Sequence, residues 1–279
     1  MKNASPKAVH LKNYKKPKYT IDSVELNFEL DPRKTLVANK MFLRRLDQTK
    51  QGETLHLNAE GVEFVDIRLN GESLSKDQYK VHPEGLDLFD PPENFTLEIE
   101  NTINPESNKA LEGLYKSGNI FCTQNEPEGF RKITYYLDRP DVMAKFKTTI
   151  VAKKDDYPVL LSNGNPIDKG ELEGGKHFVT WVDPFPKPSY LFALVAGDLG
   201  VLKDQFVTRS GRKIDLQIYC DKGNENKCSH AMESLKKAME WDEKRFDLEY
   251  DLDIYMIVAV DSFNMGAMEN TSLNIFNTA

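Results

Sequence analysis

A chain of 279 residues exceeds a typical single domain, so two domains are the natural expectation. Hydrophobic residues make up 39% and charged residues 29%, the balance of a soluble globular protein. The formal net charge of −7 argues against a nucleic-acid partner, because phosphate binding needs clustered Lys and Arg. No early segment has the apolar core of a signal peptide, and no run is long enough to span a bilayer, so no membrane association is expected. Cys122, Cys220 and Cys228 form an odd, sparse set without metal-ligand spacing, which fits reduced thiols in the cytoplasm.

The first 18 residues are locally basic, with Lys2, Lys7, Lys12, Lys15, Lys16 and Lys18, and read as a solvated, flexible terminus. Val24, Leu26, Phe28 and Leu30 then alternate with polar residues, the period of a half-buried strand. Asp31-Pro32-Arg33-Lys34 is a turn, and 35–46 reads as the return strand. Further strands are expected over 54–57, 63–69, 95–99, 142–151, 177–182 and 190–196, with Asn70-Gly71 as a hairpin turn. Short strands punctuated by Gly, Pro and Asn predict an antiparallel β-sandwich or saddle over 19–198. The stretch from Ile103 to Arg139 reads as a long loop, and a loop of that length calls for a function. Within it, Asp138-Arg139 could be an internal ion pair.

The pattern changes after Asp198. Strands are expected over 206–208 and 213–220 around the turn Arg209-Ser210-Gly211. A helix is expected over 229–246, with Ser229 as its N-cap and Met232, Leu235, Met239 and Phe246 on one face. The Met stripe reads as core packing. Met256 to Val260 is an uninterrupted apolar run, read as a strand buried on both faces. It leads into Met265-Gly266-Ala267-Met268-Glu269-Asn270. Gly266 and Ala267 carry almost no side chain, and an acid follows. Two readings stand. One is a sheet edge whose bare N–H and C=O groups pair with an extended peptide, with Glu269 as a fixed charge beside it. The other is an ordinary turn after a core strand.

Gly266-Ala267-Met268-Glu269-Asn270 resembles the exopeptidase signature of the aminopeptidase N family of zinc metallopeptidases. Leu111-Glu112-Gly113-Leu114-Tyr115, Phe121-Cys122-Thr123-Gln124, Glu128-Gly129-Phe130-Arg131, 135–141 and 183–192 are similar to its bacterial branch, in order from about Tyr19 to Ala279. The family's zinc motif, HExxH with a later Glu, is absent. The five histidines are His10, His56, His82, His177 and His230, and no two are spaced i and i+4. The resemblance therefore implies the N-terminal, substrate-anchoring portion of a longer enzyme. Its fold would be mainly β with an α+β part, 199–279 being the beginning of a thermolysin-like catalytic domain.

By the same resemblance, Glu126 and Glu269 would grip the free amine of a peptide substrate, and Gly266, Ala267, Met268 and Asn270 would form the signature that holds its backbone. Gln124 and Met265 would line the pocket for its first side chain. Glu126 read without the family is a solvated loop acid. Zinc would be required by the full-length enzyme, its ligands lying beyond Ala279, with none expected in this chain. The partners implied are peptides with a free N-terminus and the C-terminal part of the same protein. Competing readings are a non-catalytic scaffold on the same fold and a hydrolase of epoxide-containing lipids.

Overall fold

The structure, a computed structural model, describes residues 8, 10–46 and 52–278. Alternating apolar and polar residues build its largest layer. In strand Tyr19–Glu29, Val24, Leu26 and Phe28 are buried while Glu25, Asn27 and Glu29 face water. Asp31 Oδ1 accepts the N–H groups of Arg33 (2.8 Å) and Lys34 (3.0 Å), which turns the chain into strand Thr35–Arg45. Eight strands form one sheet, in the order Asn165–Leu172, Lys176–Pro188, Met143–Lys153, Tyr19–Glu29, Thr35–Arg45, Asn94–Ile103, Glu63–Leu69, Glu72–Ser73. Asn70 (φ 52°) and Gly71 (φ 86°) make the two-residue turn between the last two. A four-stranded sheet, Val159–Ser162, Leu194–Gly197, Ile120–Gln124, Gly113–Ser117, contributes to the same apolar core. A small sheet of Leu55–Asn58, Gly85–Leu88 and Tyr79–His82 adds its leucines to that core.

The second part is a mixed sheet in the order Leu199–Val207, Lys213–Asp221, Ile254–Val260, Leu273–Asn277, Ala267–Met268, with helix Ser229–Phe246 against it. The architecture is thus mainly β with an α+β part, as expected.

Several details differ from the sequence reading. Tyr19–Glu29 pairs with Met143–Lys153 in parallel, Val24 beside Phe146. More than a hundred residues separate them, so the turn chemistry that dictates hairpins has no hold on their direction. The 103–139 stretch is not irregular throughout. It contains the hairpin Gly113–Ser117/Ile120–Gln124 and the 3₁₀ turn Phe130–Lys132. All five residues of Ile120–Gln124 are buried, so the alternation that betrays a half-exposed strand is missing. Asp138 pairs with Arg131 (2.9 Å) rather than with Arg139, which turns to Asp141. The helix spans the expected residues, but Ser229 lies inside it. Its N-cap is Cys228, with no side-chain cap bond, because the 3₁₀ turn Glu225–Cys228 runs directly into it. Met232, Leu235 and Met239 are buried, whereas Phe246 is exposed and rests edge-on against Trp241.

Strand Ile254–Val260 was expected to be buried on both faces. Only one face is. Ile254, Met256, Val258 and Val260 enter the large core, while Tyr255, Ile257 and Ala259 are half-buried. The helix reaches part of that second face and leaves the rest open.

Of the basic terminal stretch, Lys2 and Lys7 lie outside the described residues. Within it Tyr14 OH donates to Asp141 (2.8 Å) and Arg139 donates to the Lys15 carbonyl (2.8 Å), while Leu11 and Lys12 are exposed. Among the described residues no helix is long and apolar enough to cross a membrane.

One ion pair is fully enclosed. Lys187 Nζ lies 3.0 Å from Asp183 Oδ2 and 4.0 Å from the centre of the Phe146 ring. Burial pushes the Lys187 ammonium down to about 8, against the opposing pull of Asp183. Removing one partner strands a charge in the core, which costs about 3–5 kcal/mol. Lys187→Met should therefore lose about that much in urea unfolding. Asp183→Leu combined with Lys187→Met should recover much of it. A single mutant of wild-type stability would mean that the pair is solvated.

Candidate functional site

The site is assembled from the Ile120–Gln124 end of the four-stranded sheet and the segment 262–272. Gln124 is buried at the end of its strand, where its Nε2 points at Met268 Sδ (3.7 Å) and the Glu126 carbonyl (3.5 Å). The turn beyond it is pinched. A Cβ at Gly129 would stand 2.5 Å from the Gln124 carbonyl oxygen and 2.9 Å from Gly113 N, so only glycine fits. Gly129 N donates to the Asn125 carbonyl (2.8 Å), and Asn125 Nδ2 donates to the Phe192 carbonyl (2.7 Å). Glu126 therefore projects, exposed, from a turn whose base is buried and hydrogen-bonded.

On the other side, Ala267–Met268 is the outermost strand of the five-stranded sheet, paired antiparallel with Leu273–Asn277. Asn277 N donates to the Gly266 carbonyl (2.9 Å). Ala267 and Phe276 are thus a non-hydrogen-bonded pair, which turns the Ala267 N–H and C=O toward the outer edge. Among the described residues no strand pairs with that edge. A Cβ at Gly266 would meet nothing within 4 Å, so crowding inside this chain does not explain the glycine. Met268 and Asn270 are buried; Met265, Ala267 and Glu269 are exposed. Neither Glu126 nor Glu269 has an ion-pair partner among the described residues, in a molecule where many surface acids do.

The structure brings Gln124 and Met268 into contact, and Glu126 and Glu269 flank that contact in the chain. It gives Met265 no such link: its carbonyl accepts from Asn277 Nδ2 (3.3 Å), while its side chain lies in the open. Three buried amide atoms at the site have no hydrogen-bond partner among the described residues, Gln124 Oε1, Asn125 Oδ1 and Asn270 Nδ2.

Sequence reading missed the residues that dock the two sides. Tyr115 OH donates to the Ser262 carbonyl (2.9 Å), and Ser262 N donates to Ser117 Oγ (3.0 Å). Asn163 Nδ2 donates to the Leu191 (3.0 Å) and Thr271 (2.7 Å) carbonyls, and its Oδ1 accepts from Ala193 N (2.8 Å). Gly164 N donates to Ser272 Oγ (2.7 Å). The bonds that reach 262–272 join residues 108–147 apart in the chain, which no local pattern announces.

The group set bears on metal binding. Glu126, Glu269, Gln124 and Met268 offer two carboxylates, an amide and a thioether. There is no imidazole or thiolate among them, so they do not fit a zinc centre. The nearby Cys122 thiol is pushed up to about 12, chiefly by burial, and stays protonated. A cavity of about 840 Å³ lies elsewhere, between the helix and the half-buried sheet face, lined by Ala231, Leu235, Ala238, Tyr255, Ile257 and Phe276 among others. It contains neither carboxylate of the candidate site.

Comparison with known proteins identifies the family of the chain. Residues 15–191 match the family described as Peptidase M1 N-terminal domain, and residues 230–279 match the Peptidase family M1 domain. The chain is 55% identical over 273 residues to Aminopeptidase N of Haemophilus influenzae and 54% identical over 273 residues to Aminopeptidase N of Escherichia coli. Each match covers 98% of this chain and 31% of the relative, so the chain spans about a third of the length of these relatives. A crystal structure of Legionella pneumophila aminopeptidase A in complex with aspartic acid superposes with a TM-score of 0.91. The identity is 38%, covering 96% of this chain and 32% of that one.

Tyr115→Phe keeps the ring and removes one hydrogen bond, which should cost about 0.5–1.5 kcal/mol. Asn163→Ala leaves buried backbone groups unpaired and should cost about 1–3 kcal/mol. Both should speed hydrogen exchange at 262–272 more than in strand Tyr19–Glu29. Equal effects on the two segments would mean that these bonds do not dock the site.

Proposed function

Because the chain belongs to peptidase family M1, we propose that it is the substrate-anchoring N-terminal part of a zinc-dependent aminopeptidase. The observation that carries this reading is the open edge of Ala267–Met268, with Glu269 next to it in the chain and Glu126 two residues beyond the Gln124 that meets Met268, neither acid having an ion-pair partner among the described residues. A peptide can add to such an edge as a further strand, its main chain bonding to the outward N–H and C=O of Ala267. The open space over Gly266 supports close approach of that backbone. A terminal ammonium suits paired carboxylates, since charge-assisted hydrogen bonds are about twice as strong as neutral ones. Glu126 and Glu269 are the anchor. They fix the amine end, so the first peptide bond falls at a set distance from it and a longer chain cannot enter. Met268 and Asn270 hold the strand from beneath, with Gln124 and Met265 lining the pocket for the first side chain.

In this reading the metal would be held by residues outside this chain. There it would polarise the scissile carbonyl and activate a water. The residues in hand bind and orient. The free thiols Cys122, Cys220 and Cys228 support the cytoplasm as the compartment. An M1-fold scaffold without peptidase activity is the alternative that the kinetic test below separates.

The 279-residue chain alone should not release arylamine from amino-acid arylamides, since its site residues carry no metal set. Chelator-sensitive turnover by the chain would overturn that assignment. In a protein of the relatives' full length, Glu126→Gln and Glu269→Gln keep shape but remove one charge each. A hydrogen bond to a charged group contributes roughly 1.5–3 kcal/mol. Each change should lower kcat/KM for free-amine peptides about 10- to 150-fold. Glu269→Gln should cost more, because Glu269 adjoins the strand that sets the register. The double mutant should lose less than the product, because both acids meet one ammonium. Zinc content should be unchanged. Wild-type kcat/KM in both single mutants would end the anchor assignment.

A further inference from the structure

The small sheet carries a feature that the peptide-binding reading does not use. In Leu55–Asn58 and Gly85–Leu88, Leu55, Leu57, Leu86 and Leu88 point into the core, so His56 and Asp87 point to solvent. The register sets His56 directly opposite Asp87. On the other flank Lys80 stands opposite Asp87, and His82, two residues on, shares its face. The result is a convergence of two imidazoles on one carboxylate. His56 Nδ1 lies 2.8 Å from Asp87 Oδ1, and His82 Nε2 lies 3.6 Å from Asp87 Oδ2. The two rings stack, with centres 5.4 Å apart and planes 16° apart. One ligand atom from each of the three residues falls within 4.8 Å of the others.

We propose that His56, His82 and Asp87 form a surface site for a divalent transition metal of the zinc type. Zinc takes imidazole nitrogen and carboxylate oxygen at about 2.0–2.2 Å in tetrahedral array, which sets the ligand atoms about 3.3 Å apart. His56 and His82 approach different oxygens of Asp87, at 2.8 and 3.6 Å, and a bound metal would draw the three ligand atoms, now within 4.8 Å of one another, closer together. Two imidazoles with one carboxylate favour zinc, copper or nickel over calcium or magnesium, which prefer all-oxygen shells. Three protein ligands leave the fourth position to water or to a side chain from outside. His56 and Asp87 come from strands whose opposite faces, Leu55, Leu57, Leu86 and Leu88, are buried in the core, so packing holds these two ligands, while His82 lies on the outer strand, where Val81 is exposed. Lys80 is the one cation opposite Asp87 on this face, and it makes no ion pair among the described residues. It works against metal binding rather than for it.

The test uses the 279-residue chain and Zn2+ alone, followed by calorimetry and by thermal melting, with Co2+ as a coloured substitute. One equivalent of Zn2+ should bind, Tm should rise with Zn2+, and Co2+ should develop visible absorption. Loss of an outer-shell partner alone costs metal sites about 10- to 100-fold in affinity. His56→Ala, His82→Ala and Asp87→Ala should therefore each weaken binding by at least about tenfold and abolish the Tm shift. All three are on the solvent face, and circular dichroism of the metal-free proteins checks that they fold. Lys80→Ala should bind Zn2+ as tightly or more tightly. His230→Ala, which removes the histidine near Cys228, should change nothing. Zn2+ binding that survives all three ligand substitutions, or that is lost in His230→Ala, would overturn the proposal, as would the absence of saturable binding. None of these readouts involves Glu126 or Glu269, so the outcome is independent of the peptidase reading.

Discussion

The candidate site depends on a single shared core. The apolar interior of the eight- and four-stranded sheets does not end where those sheets end. Ile254, Met256, Val258 and Val260, together with Met268, Leu273 and Ile275, belong to the same buried cluster as Tyr19, Leu26 and Phe121. Burying a side chain of this size contributes about 1.5–3 kcal/mol relative to exposure. Seven of them bind the mixed sheet to the layers before it far more firmly than any surface ion pair could. A two-residue strand such as Ala267–Met268 has no independent stability in water. It exists because Met268 is held in that core and Leu273–Asn277 is held beside it.

Hydrogen bonds then set the detail that apolar burial, being non-directional, leaves open. Tyr115, Ser117, Asn163 and Gly164 each bind a backbone or side-chain group in 262–272. Their bonds fix where Glu269 stands relative to the turn that carries Glu126. Gln124, Met268 and Asn270 are buried, while Glu126, Ala267 and Glu269 are exposed.

The histidines illustrate how misleading spacing can be. His56 and His82 are 26 residues apart and follow no metal-binding pattern along the chain. A strand side chain meets its neighbours across the sheet, and a hairpin together with a third strand brings both rings to Asp87.

Where one side of an element faces water, the amino-acid sequence alone determined it. The alternation at Val24–Phe28, the turns at Asp31 and at Asn70-Gly71, and the helix Ser229–Phe246 were all legible, because water on one face imposes a period on the residues. The run 266–270 by itself left two readings open, an ordinary turn and a peptide-binding edge, and only its resemblance to the family signature favoured the second. Three kinds of feature were decided only by the tertiary structure. The hairpin Gly113–Ser117/Ile120–Gln124 is buried on both faces, and burial on both faces erases the period. The parallel pairing of Tyr19–Glu29 with Met143–Lys153 joins strands over a hundred residues apart, beyond the reach of any turn. The half-open face of Ile254–Val260 depends on how far the helix extends across it, which is a property of packing. Local sequence encodes which side of an element avoids water; which other element supplies the cover is settled by the fit of surfaces distant in the chain.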